Sequence, residues 1–321
     1  MLYSMKEVAT DCGISEEELE RCINKYNIPL KRKKINTKGI QTLFSFAKFE
    51  DNRLSDAMNN KSVSFNYTYE DKTISIYKDD AISFLKKLPS RSIDLITTDP
   101  AYSGMNNKLK LGKGRIVGKY ANKGQNNAKW FEEFKDSKEN YAKFLSECKR
   151  VLKKTTGHIY IMFDSYSLLS LGNIVRDYFD VKNLITWDKV NIGMGHYYRR
   201  RHEYILFATN GNTRKIRNRK FPDVWNFKRI HNSKYPTQKP VEVFQAMIYA
   251  SAQKNFVVCD PFLGSASSVI ATIKNQCNFI GCDISDKSIE ISDKRISQFI
   301  EKQEDILQPK SSAVENKVFW E

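Results

Sequence analysis

The sequence predicts an α/β fold, a doubly wound and mostly parallel sheet with a small helical module at the N-terminus. From residue 74 onward, short apolar runs typical of buried strands alternate with longer stretches of helical periodicity. Two of these apolar runs end in Asp-Pro, at 99–100 and at 260–261. The first fifty residues instead contain two short helical segments that are joined through a glycine.

The N-terminal module, residues 1–50, resembles a helix-turn-helix. Gly13 follows the first helical segment as a C-cap, and Ser15 with Glu18 forms the capping box of the second. The basic stretch PLKRKKINTKG, which follows, is expected to form a hairpin or wing. DNA contact by this module, a helical cap and a dimerisation arm all remain open.

Residues 51–73 are polar and poor in aliphatic side chains, which predicts a linker. The sheet-forming domain then runs from 74 to 305, and residues 306–321 are expected to be a tail. The predicted strands are 73–78, 93–99, 157–164, 181–189, 202–210, 255–260 and 279–284. The predicted helices are 79–90, 130–154, 165–179, 240–253, 265–275 and 285–303.

Composition favours a polyanionic partner. The chain has 321 residues, with 53 Lys and Arg against 37 Asp and Glu, a net charge of +16. The N-terminus lacks the apolar core of a signal peptide, and no apolar run approaches the ~18 residues of a membrane span. The six cysteines form no C-x-x-C pair and the four histidines no ligand set, which predicts a cytoplasmic protein without membrane or metal.

The second Asp-Pro stretch, VVCDPFLGSASS at 257–268, has the form of a strand, a turn and a helix start. Its small residues allow a ligand to approach backbone N–H groups at the helix N-terminus. Asp283 ends the next strand, 283 − 260 = 23 residues after Asp260, a spacing that suits an acidic side chain on ribose hydroxyls. Because only Gly264 stands in the turn, a nucleoside ligand without phosphates fits better than a dinucleotide. An ordinary strand-turn-helix is the alternative.

Five motifs, taken in order, resemble those of the β class of amino-methyltransferases that modify DNA from S-adenosylmethionine. TDPAY is similar to the D-P-P-Y catalytic motif and DPFLGSAS to the D-P-F-x-G-S-G cofactor motif. ITWDK and RRRHEYILFATN are similar to the W-x-K and R-x-x-H-E strands, and YPTQKP at 235–240 to the H-P-T-Q-K-P segment. The resemblance covers about 74–300 and implies a Rossmann-like methyltransferase fold with permuted motif order.

The resemblance also implies the functional residues. Those of the catalytic motif are Asp99, Pro100 and Tyr102, and those expected to bind S-adenosylmethionine are Lys239, Asp260, Phe262, Gly264, Ser265 and Asp283. The chain departs from the family pattern at four positions, where it has Ala101, Tyr235, Ala266 and, in place of a frequent Glu, Asp283. None of these departures removes a group that the chemistry needs.

The catalytic motif suits methylation of an exocyclic amine, which is a poor nucleophile because its lone pair is delocalised. Asp99 and the Pro100 carbonyl can accept its two hydrogens and direct the lone pair at the sulfonium methyl, while Tyr102 stacks on a base that has left the duplex. By resemblance, Asp99 favours adenine N6 in double-stranded DNA. Cytosine N4, RNA adenine and an inactive DNA-binding regulator are the alternatives. A homodimer and a cognate restriction enzyme are also open.

Basic residues cluster in two segments. Residues 103–129 carry seven Lys and Arg and no acidic residue, which favours a loop that orders over DNA. A second concentration lies around 197–220. The family's target-recognition region corresponds to 210–235, and within it Arg217, Asn218 and Arg219 are expected to contact base edges or phosphates.

Overall fold

A computed structural model of the chain describes residues 2–46, 53–58, 64–101, 134–135, 137–193, 197–211, 214–218, 220–230, 235 and 238–307. Within these ranges the chain forms a small N-terminal module and one large sheet with helices on both faces. The predicted strand–helix alternation is confirmed.

The strands form two sheets. The small sheet has the order β1-β3-β2 and the large one, with nine strands, the order β10-β8-β9-β7-β6-β11-β12-β5-β4. Their bounds are β1 Leu2–Ser4, β2 Leu30–Lys31, β3 Lys34–Asn36, β4 Phe65–Tyr69, β5 Lys72–Lys78, β6 Leu95–Thr98, β7 His158–Phe163, β8 Asp180–Asp188, β9 His202–Thr209, β10 Val224–Asn226, β11 Val257–Asp260 and β12 Asn278–Asp283.

The large sheet is mostly parallel, as predicted. Five of its neighbouring strand pairs run parallel, and β4 with β5, β7 with β9 and β8 with β9 run antiparallel. Strands β5, β6, β7, β8, β11 and β12 therefore end on the same side of the sheet, which we call its carboxyl end. The opposite side, where these strands begin, is its amino end.

Helices cover both faces of the large sheet, because neighbouring residues of the central strands point to opposite sides. Leu95 packs in one apolar cluster with the last three helices, and Ile96 packs in the other with α5 and α6. The helices are α1 Met5–Cys12, α2 Glu16–Lys25, α3 Thr37–Phe46, α4 Arg53–Met58, α5 Ala81–Lys87, α6 Lys138–Val151, α7 Ser165–Leu171, α8 Val175–Tyr178, α9 Val241–Ser251, α10 Ser267–Lys274 and α11 Asp286–Lys302. Among the described residues, none of the helices has the length and apolar character needed to cross a membrane.

The N-terminal module contains the predicted helix pair and basic hairpin, with Gly13 as a left-handed C-cap at φ 73°. The predicted capping box of the second helix is only half formed, since Ser15 accepts from the Glu18 N–H and no return bond is made. The complete capping box is that of the first helix, between Ser4 and Glu7.

The module docks on the amino end of the large sheet through a buried carboxylate. Asp11 is fully buried, lies 2.5 Å from the Arg91 guanidinium, and accepts the backbone N–H of Thr155 at 2.9 Å. Arg91 also donates to the carbonyl of Glu7. Because Arg91 precedes β6 and Thr155 precedes β7, the docking surface lies opposite the ends of those strands.

Three boundaries predicted from the sequence were wrong. Residues 64–73 are not linker, because Phe65, Tyr67 and Tyr69 of β4 pack on the apolar core in place of aliphatic side chains. The helix predicted over 130–154 begins at Lys138, where Ser137 caps it, and Phe134 lies in extended backbone instead. The tail begins later than 306, since the Leu307 carbonyl accepts from Gln238.

Candidate active site

The two Asp-Pro stretches meet at the carboxyl end of the sheet. Strands β6 and β11 are parallel neighbours, so Asp99 and Asp260 end adjacent strands. A cavity of about 350 Å³ opens there. Among the residues proposed from the sequence, those that line it are Asp99, Pro100, Lys239, Phe262, Gly264, Ser265 and Asp283. Segments nearly 200 positions apart are thus brought to one pocket.

Asp99 is part of a row of alternating charges. The ammonium of Lys239 contacts the carboxylate of Asp99 and lies 3.7 Å from Glu203, which in turn accepts from Lys189 at 3.1 Å. Glu203 comes from the RRRHEYILFATN stretch and lies on β9, and Lys189 is the last residue of the ITWDK stretch, directly after β8. Three of the five motifs therefore meet the catalytic motif through ion pairs.

The pKa values of this row reflect burial and charge together. Burial raises the pKa of Asp99, and Lys239 opposes that rise. Burial by itself would lower the pKa of Lys239, but Asp99 and Glu203 raise it above its ordinary value. Burial would also raise the pKa of Glu203, yet Lys239 and Lys189 hold it below its usual range. Since the Asp99 side chain stays 28% exposed, water entering the cavity weakens the burial effect on its carboxylate.

The cofactor loop between β11 and α10 is tied to the end of β12. Gly264 has φ +53°, a left-handed conformation that glycine adopts without strain, and its N–H donates to Asp283 at 2.8 Å. The other oxygen of Asp283 accepts the Ser285 N–H at 2.9 Å. Ala266 is also left-handed, at φ 64°, which explains why the family motif has glycine at this position. Asp283 thus shapes the loop and still presents carboxylate oxygens to the cavity.

Asp260 occupies a different place from the one expected. Its side chain is buried beneath the loop, where it accepts the Phe262 N–H at 3.0 Å and the Ser268 hydroxyl at 2.6 Å. Burial is the main cause that raises the pKa of Asp260, to about 7. Asp260 does not line the cavity, so we correct its expected role from cofactor binding to positioning of the loop.

A buried arginine supports the same loop and was missed from the sequence. Arg295 on α11 is fully buried and donates to the Ser265 carbonyl at 2.6 Å and to the Ser267 hydroxyl at 3.0 Å. Its remaining donors pair with Asp305 at 2.6 and 2.8 Å. In the sequence, Arg295 is one of several charged residues on an amphipathic helix. No local pattern distinguishes this buried arginine from a charged residue exposed to solvent.

The cavity is also lined by residues to which sequence reasoning gave no role, and two of them, Tyr235 and Gln238, belong to the YPTQKP motif. Tyr235, which replaces the family's His, bonds Ser288 at 3.0 Å, and Phe134 meets the Phe262 ring edge to face at 5.2 Å. The other missed lining residues include Asp79, Asp80, Asn140, Gln238, Phe244 and Ser285. Asp79 and Asp80 follow β5 at the carboxyl end. Their position directly after a predicted strand could have identified them as candidates for the site.

Some expected features lie outside the described residues. They include Tyr102, the basic loop 103–129 and Arg219 of the expected target-recognition segment. Their proposed roles therefore stay predictions.

The segment 210–235 is not a target-recognition region throughout. The Arg214 carbonyl accepts from His158 at the start of β7, and Arg217 donates to the Ala252 carbonyl and stacks on Tyr249 at 4.5 Å. These contacts place 214–218 at the amino end of the sheet, away from the cavity, so they do not support base-edge contact by Arg217 at the active site, and its alternative role in phosphate contact stays a prediction. The segment returns to the carboxyl end only with β10, whose last residue pairs with Asp188.

The chemistry of the cavity fits S-adenosylmethionine. Carboxylates of Asp79, Asp80, Asp99 and Asp283 suit a ligand with a sulfonium, an ammonium and ribose hydroxyls. The rings of Phe134, Phe244 and Phe262 provide apolar walls for a flat base. A parallel α/β sheet with such a pocket at the carboxyl ends of its strands defines a nucleoside-dependent enzyme of the Rossmann-like type.

Comparison with known proteins identifies the family. The model of the DNA methylase family with N6 and N4 amino specificity matches residues 93–294, more than half of the chain. The chain therefore belongs to the S-adenosylmethionine-dependent DNA methyltransferases that act at specific sites.

Curated relatives agree with this assignment. The Type II methyltransferase M.HpaI of Haemophilus parainfluenzae is 32% identical over 247 residues, 68% of this chain and 72% of its own. The Type II methyltransferase M2.MboI of Moraxella bovis is 28% identical over 253 residues, 70% and 88% of the two chains. The DNA adenine methyltransferase YhdJ of Escherichia coli (strain K12) is 27% identical over 259 residues, 69% and 82%.

Solved structures share the fold. The cytosine-N4-specific PvuII DNA methyltransferase matches with a TM-score of 0.54 at 12% identity, over 75% of this chain and 94% of its own. A DNA modification methylase of Thermus thermophilus, in complex with S-adenosyl-L-methionine, matches with a TM-score of 0.51 at 18% identity, over 71% and 94%. Both are methyltransferase structures, which agrees with the Rossmann-like fold expected from the sequence.

Proposed function

We propose that this methyltransferase modifies N6 of adenine in double-stranded DNA. The observation that carries the proposal is the shared cavity: Asp99 and Pro100 line the same pocket as Gly264 and Asp283 of the cofactor loop. An exocyclic amine and a methyl donor can therefore meet in one enclosed space. The Asp at position 99, together with relatives that include a named adenine methyltransferase, supports adenine over cytosine.

In the proposed mechanism the protein acts by orientation. The Asp99 carboxylate and the Pro100 carbonyl accept the two amine hydrogens, so the nitrogen lone pair turns toward the cofactor loop. Tyr102, which directly follows this turn, stacks on a base that has left the duplex. S-adenosylmethionine, when bound, supplies a methyl group already activated by the positive sulfonium, and the amine releases one of its two hydrogens as a proton to give the neutral methylated base. Asp260 and Arg295 hold the loop in position.

Lys239 has to exchange partners when the amine enters. It contacts Asp99 in the structure and lies 3.7 Å from Glu203. We propose that the ammonium moves to Glu203 and leaves Asp99 free to accept from adenine. The move keeps the Lys239 ammonium paired with the Glu203 carboxylate, and the amine hydrogens replace the ammonium as the hydrogen-bond donors to Asp99.

Methyl transfer to defined DNA tests the proposal. We expect methyl label from the cofactor to be recovered as N6-methyladenine after nuclease digestion of the product, with Asp99→Ala inactive but still able to bind DNA. The matched control is Asp177→Ala, which removes an exposed carboxylate from α8. Label in N4-methylcytosine, a preference for RNA, or Asp99→Ala activity within about tenfold of wild type would contradict the assignment.

Two further partners are proposed from the family resemblance, namely a second copy of the chain and a cognate restriction enzyme. Sedimentation at several protein concentrations measures the first. For the second, cell extracts that cut unmodified but not modified DNA at the same site would be the supporting result, and equal cutting of both DNAs would contradict it.

A further inference from the structure

The connection between β8 and β9 projects beyond the sheet as a hairpin. We call the described part of this connection, residues 189–193 and 197–201, the β8–β9 hairpin. The Lys189 N–H donates to the Arg201 carbonyl at 2.9 Å and the Gly193 N–H donates to the Arg200 carbonyl at 2.7 Å. The first bond continues the register of the two strands past the Asp188–His202 pair, and the second joins the two sides further out, three positions away from that register.

The hairpin stands on the same side as the active site. Strand β8 runs antiparallel to β9, which runs antiparallel to β7, so β8 ends at the carboxyl end with β6 and β7. Its base is also joined to the catalytic motif, because Lys189 pairs with Glu203, which faces Lys239 beside Asp99. DNA whose adenine enters the cavity must therefore pass close to this hairpin.

The far end of the hairpin presents two tyrosines to solvent. Tyr198 is 100% exposed and Tyr197 is 90% exposed, which is unusual for large aromatic side chains on a folded protein. Tyr198 lies three residues from Arg201 and two from Arg200, whose carbonyl accepts from the Gly193 N–H across the hairpin. Three consecutive exposed arginines, 199–201, follow the tyrosines.

The hairpin is held in shape without DNA. Arg201 pairs with Asp188 at 2.7 Å, Arg199 donates to the Gly193 carbonyl at 2.8 Å, and Arg200 lies over the Tyr166 ring at 4.8 Å. Val190 has φ +66°, a strained conformation for a β-branched residue, and it is fixed by an N–H bond to Asp188 at 2.7 Å. Strain and ordered contacts at an exposed loop indicate that its shape serves a purpose, and a preformed loop loses less entropy on binding.

From these observations we propose that the β8–β9 hairpin enters the DNA duplex and that Tyr198 occupies the space vacated by the adenine. The inference rests on the proposed function, since it assumes a base that leaves the stack. An aromatic ring can stack between the neighbouring bases and so offset the lost stacking of the extruded one. Arg199 and Arg200 beside it neutralise the flanking phosphates, whereas Arg201 stays paired with Asp188.

The experiment compares a fully paired duplex with a duplex in which the target adenine is unpaired, so that extrusion of this adenine costs less free energy. The recognition site is first found by sequencing methylation in DNA treated with the wild-type enzyme. Two duplexes are then made, one with the target adenine opposite thymine and one with it opposite an abasic site. The variants are Tyr198→Ala, Tyr198→Phe and the double variant Tyr197→Ala/Tyr198→Ala. Leu169→Ala, which removes an 83% exposed side chain from α7, is the control.

We expect Tyr198→Ala to lower kcat/KM on the matched duplex by about tenfold or more. If the ring of Tyr197 can take the place of the Tyr198 ring, we expect this loss in the double variant. The loss should shrink to about threefold on the abasic duplex, and Tyr198→Phe and the control should stay near wild type. The fluorescence of 2-aminopurine at the target position should rise with wild type and less with the alanine variants.

An equal loss on both duplexes would show a role in phosphate contact or folding, and no loss in the double variant would show no role; either result overturns the inference. If the wild-type enzyme methylates no adenine in either duplex, the proposed function fails instead. The two failures are therefore distinguishable.

Discussion

The ammonium of Lys239 lies between the carboxylates of Asp99 and Glu203, in contact with the first and 3.7 Å from the second. Asp99 follows β6 and Lys239 precedes α9, 140 positions further along the chain. Lys239 was expected to bind the cofactor, and it lines the same cavity, but its charge acts first on the catalytic motif. Burial raises the pKa of Asp99 and so favours the protonated acid, and the charge of Lys239 lowers that pKa and so favours the carboxylate.

Removal of that charge should change the pH dependence of the reaction. In Lys239→Met, burial would raise the pKa of Asp99 further because its main counter-charge is gone. A protonated Asp99 accepts less well from the amine, so the acid limb of the kcat/KM profile should move to higher pH. Steady-state rates between pH 5 and 9 measure this. Lys274→Met, which removes an exposed lysine from the end of α10, should leave the profile in place. An acid limb that stays where wild type has it would show that Lys239 does not act on Asp99.

Asp283 is expected to serve both the ribose and the loop. Asp283→Ala should weaken S-adenosylmethionine binding by roughly 1.5–3 kcal/mol, the scale of a lost hydrogen bond to a charged group, measured by calorimetry. A cofactor analogue that lacks one ribose hydroxyl separates the two roles. If Asp283 grips the ribose, wild type discriminates against the analogue and the variant does not. If both proteins discriminate equally, Asp283 acts through its bonds to the Gly264 and Ser285 N–H groups and not through the ribose.

The buried carboxyl of Asp260 should make stability depend on pH. Its pKa is raised to about 7, mainly by burial, whereas the unfolded chain has the ordinary value near 4. The folded protein then binds more protons than the unfolded chain between those values, so this group's contribution is full at low pH and is lost as pH rises toward 7. Asp260→Asn is neutral throughout. The Tm difference between variant and wild type should therefore move in favour of the variant from pH 4 to 7. A constant difference over this range would contradict the prediction.

Sequence patterns were sufficient to predict the features that depend only on residues close together in the chain. The strands of the central sheet are apolar runs of the right length, and the motifs at Asp99 and Gly264 follow strand ends, where ligands of such sheets bind. Strand β4 was missed because aromatic residues replaced aliphatic ones on its buried side. The alternation of buried and exposed residues that is typical of a strand was present in β4, but the polar residues between the aromatic ones suggested a linker.

Roles that depend on which end of the sheet a segment reaches could not be predicted. Arg217 belongs to a basic run, yet strand β9 ends at the amino end and carries the following segment away from the pocket. The arginines at 199–201 belong to the same concentration of charge and lie at the carboxyl end. Both groups of arginines belong to equally basic segments. They lie at opposite ends of the sheet only because β9 runs from the carboxyl end to the amino end. Arg295 and Asp305 likewise meet only in the folded chain.

The basic hairpin of the N-terminal module offers a direct test of DNA contact. Residues 31–34 are all Lys or Arg and all exposed, and Arg32 and Lys33 form its turn at φ 53° and 56°. A two-residue turn with both residues left-handed favours Asn-Gly, and other residues are strained there. Deletion of residues 1–50 would be a poor test, since it would leave Arg91 without its buried partner Asp11.

We therefore predict opposite effects from the double substitution Arg32→Asn/Lys33→Gly. Stability should rise by about 1 kcal/mol, because the new turn residues adopt left-handed backbone more easily. If the hairpin contacts DNA, affinity should fall, and the slope of log affinity against log salt should become shallower by about two units, roughly 0.9 for each lost phosphate contact. A weakened affinity in a more stable protein cannot be attributed to unfolding. If the module is a dimer contact instead, sedimentation should show a changed mass, and the slope of log affinity against log salt should not change. If stability rises and neither mass nor slope changes, the hairpin serves neither purpose and the module acts as a cap on the amino end of the sheet.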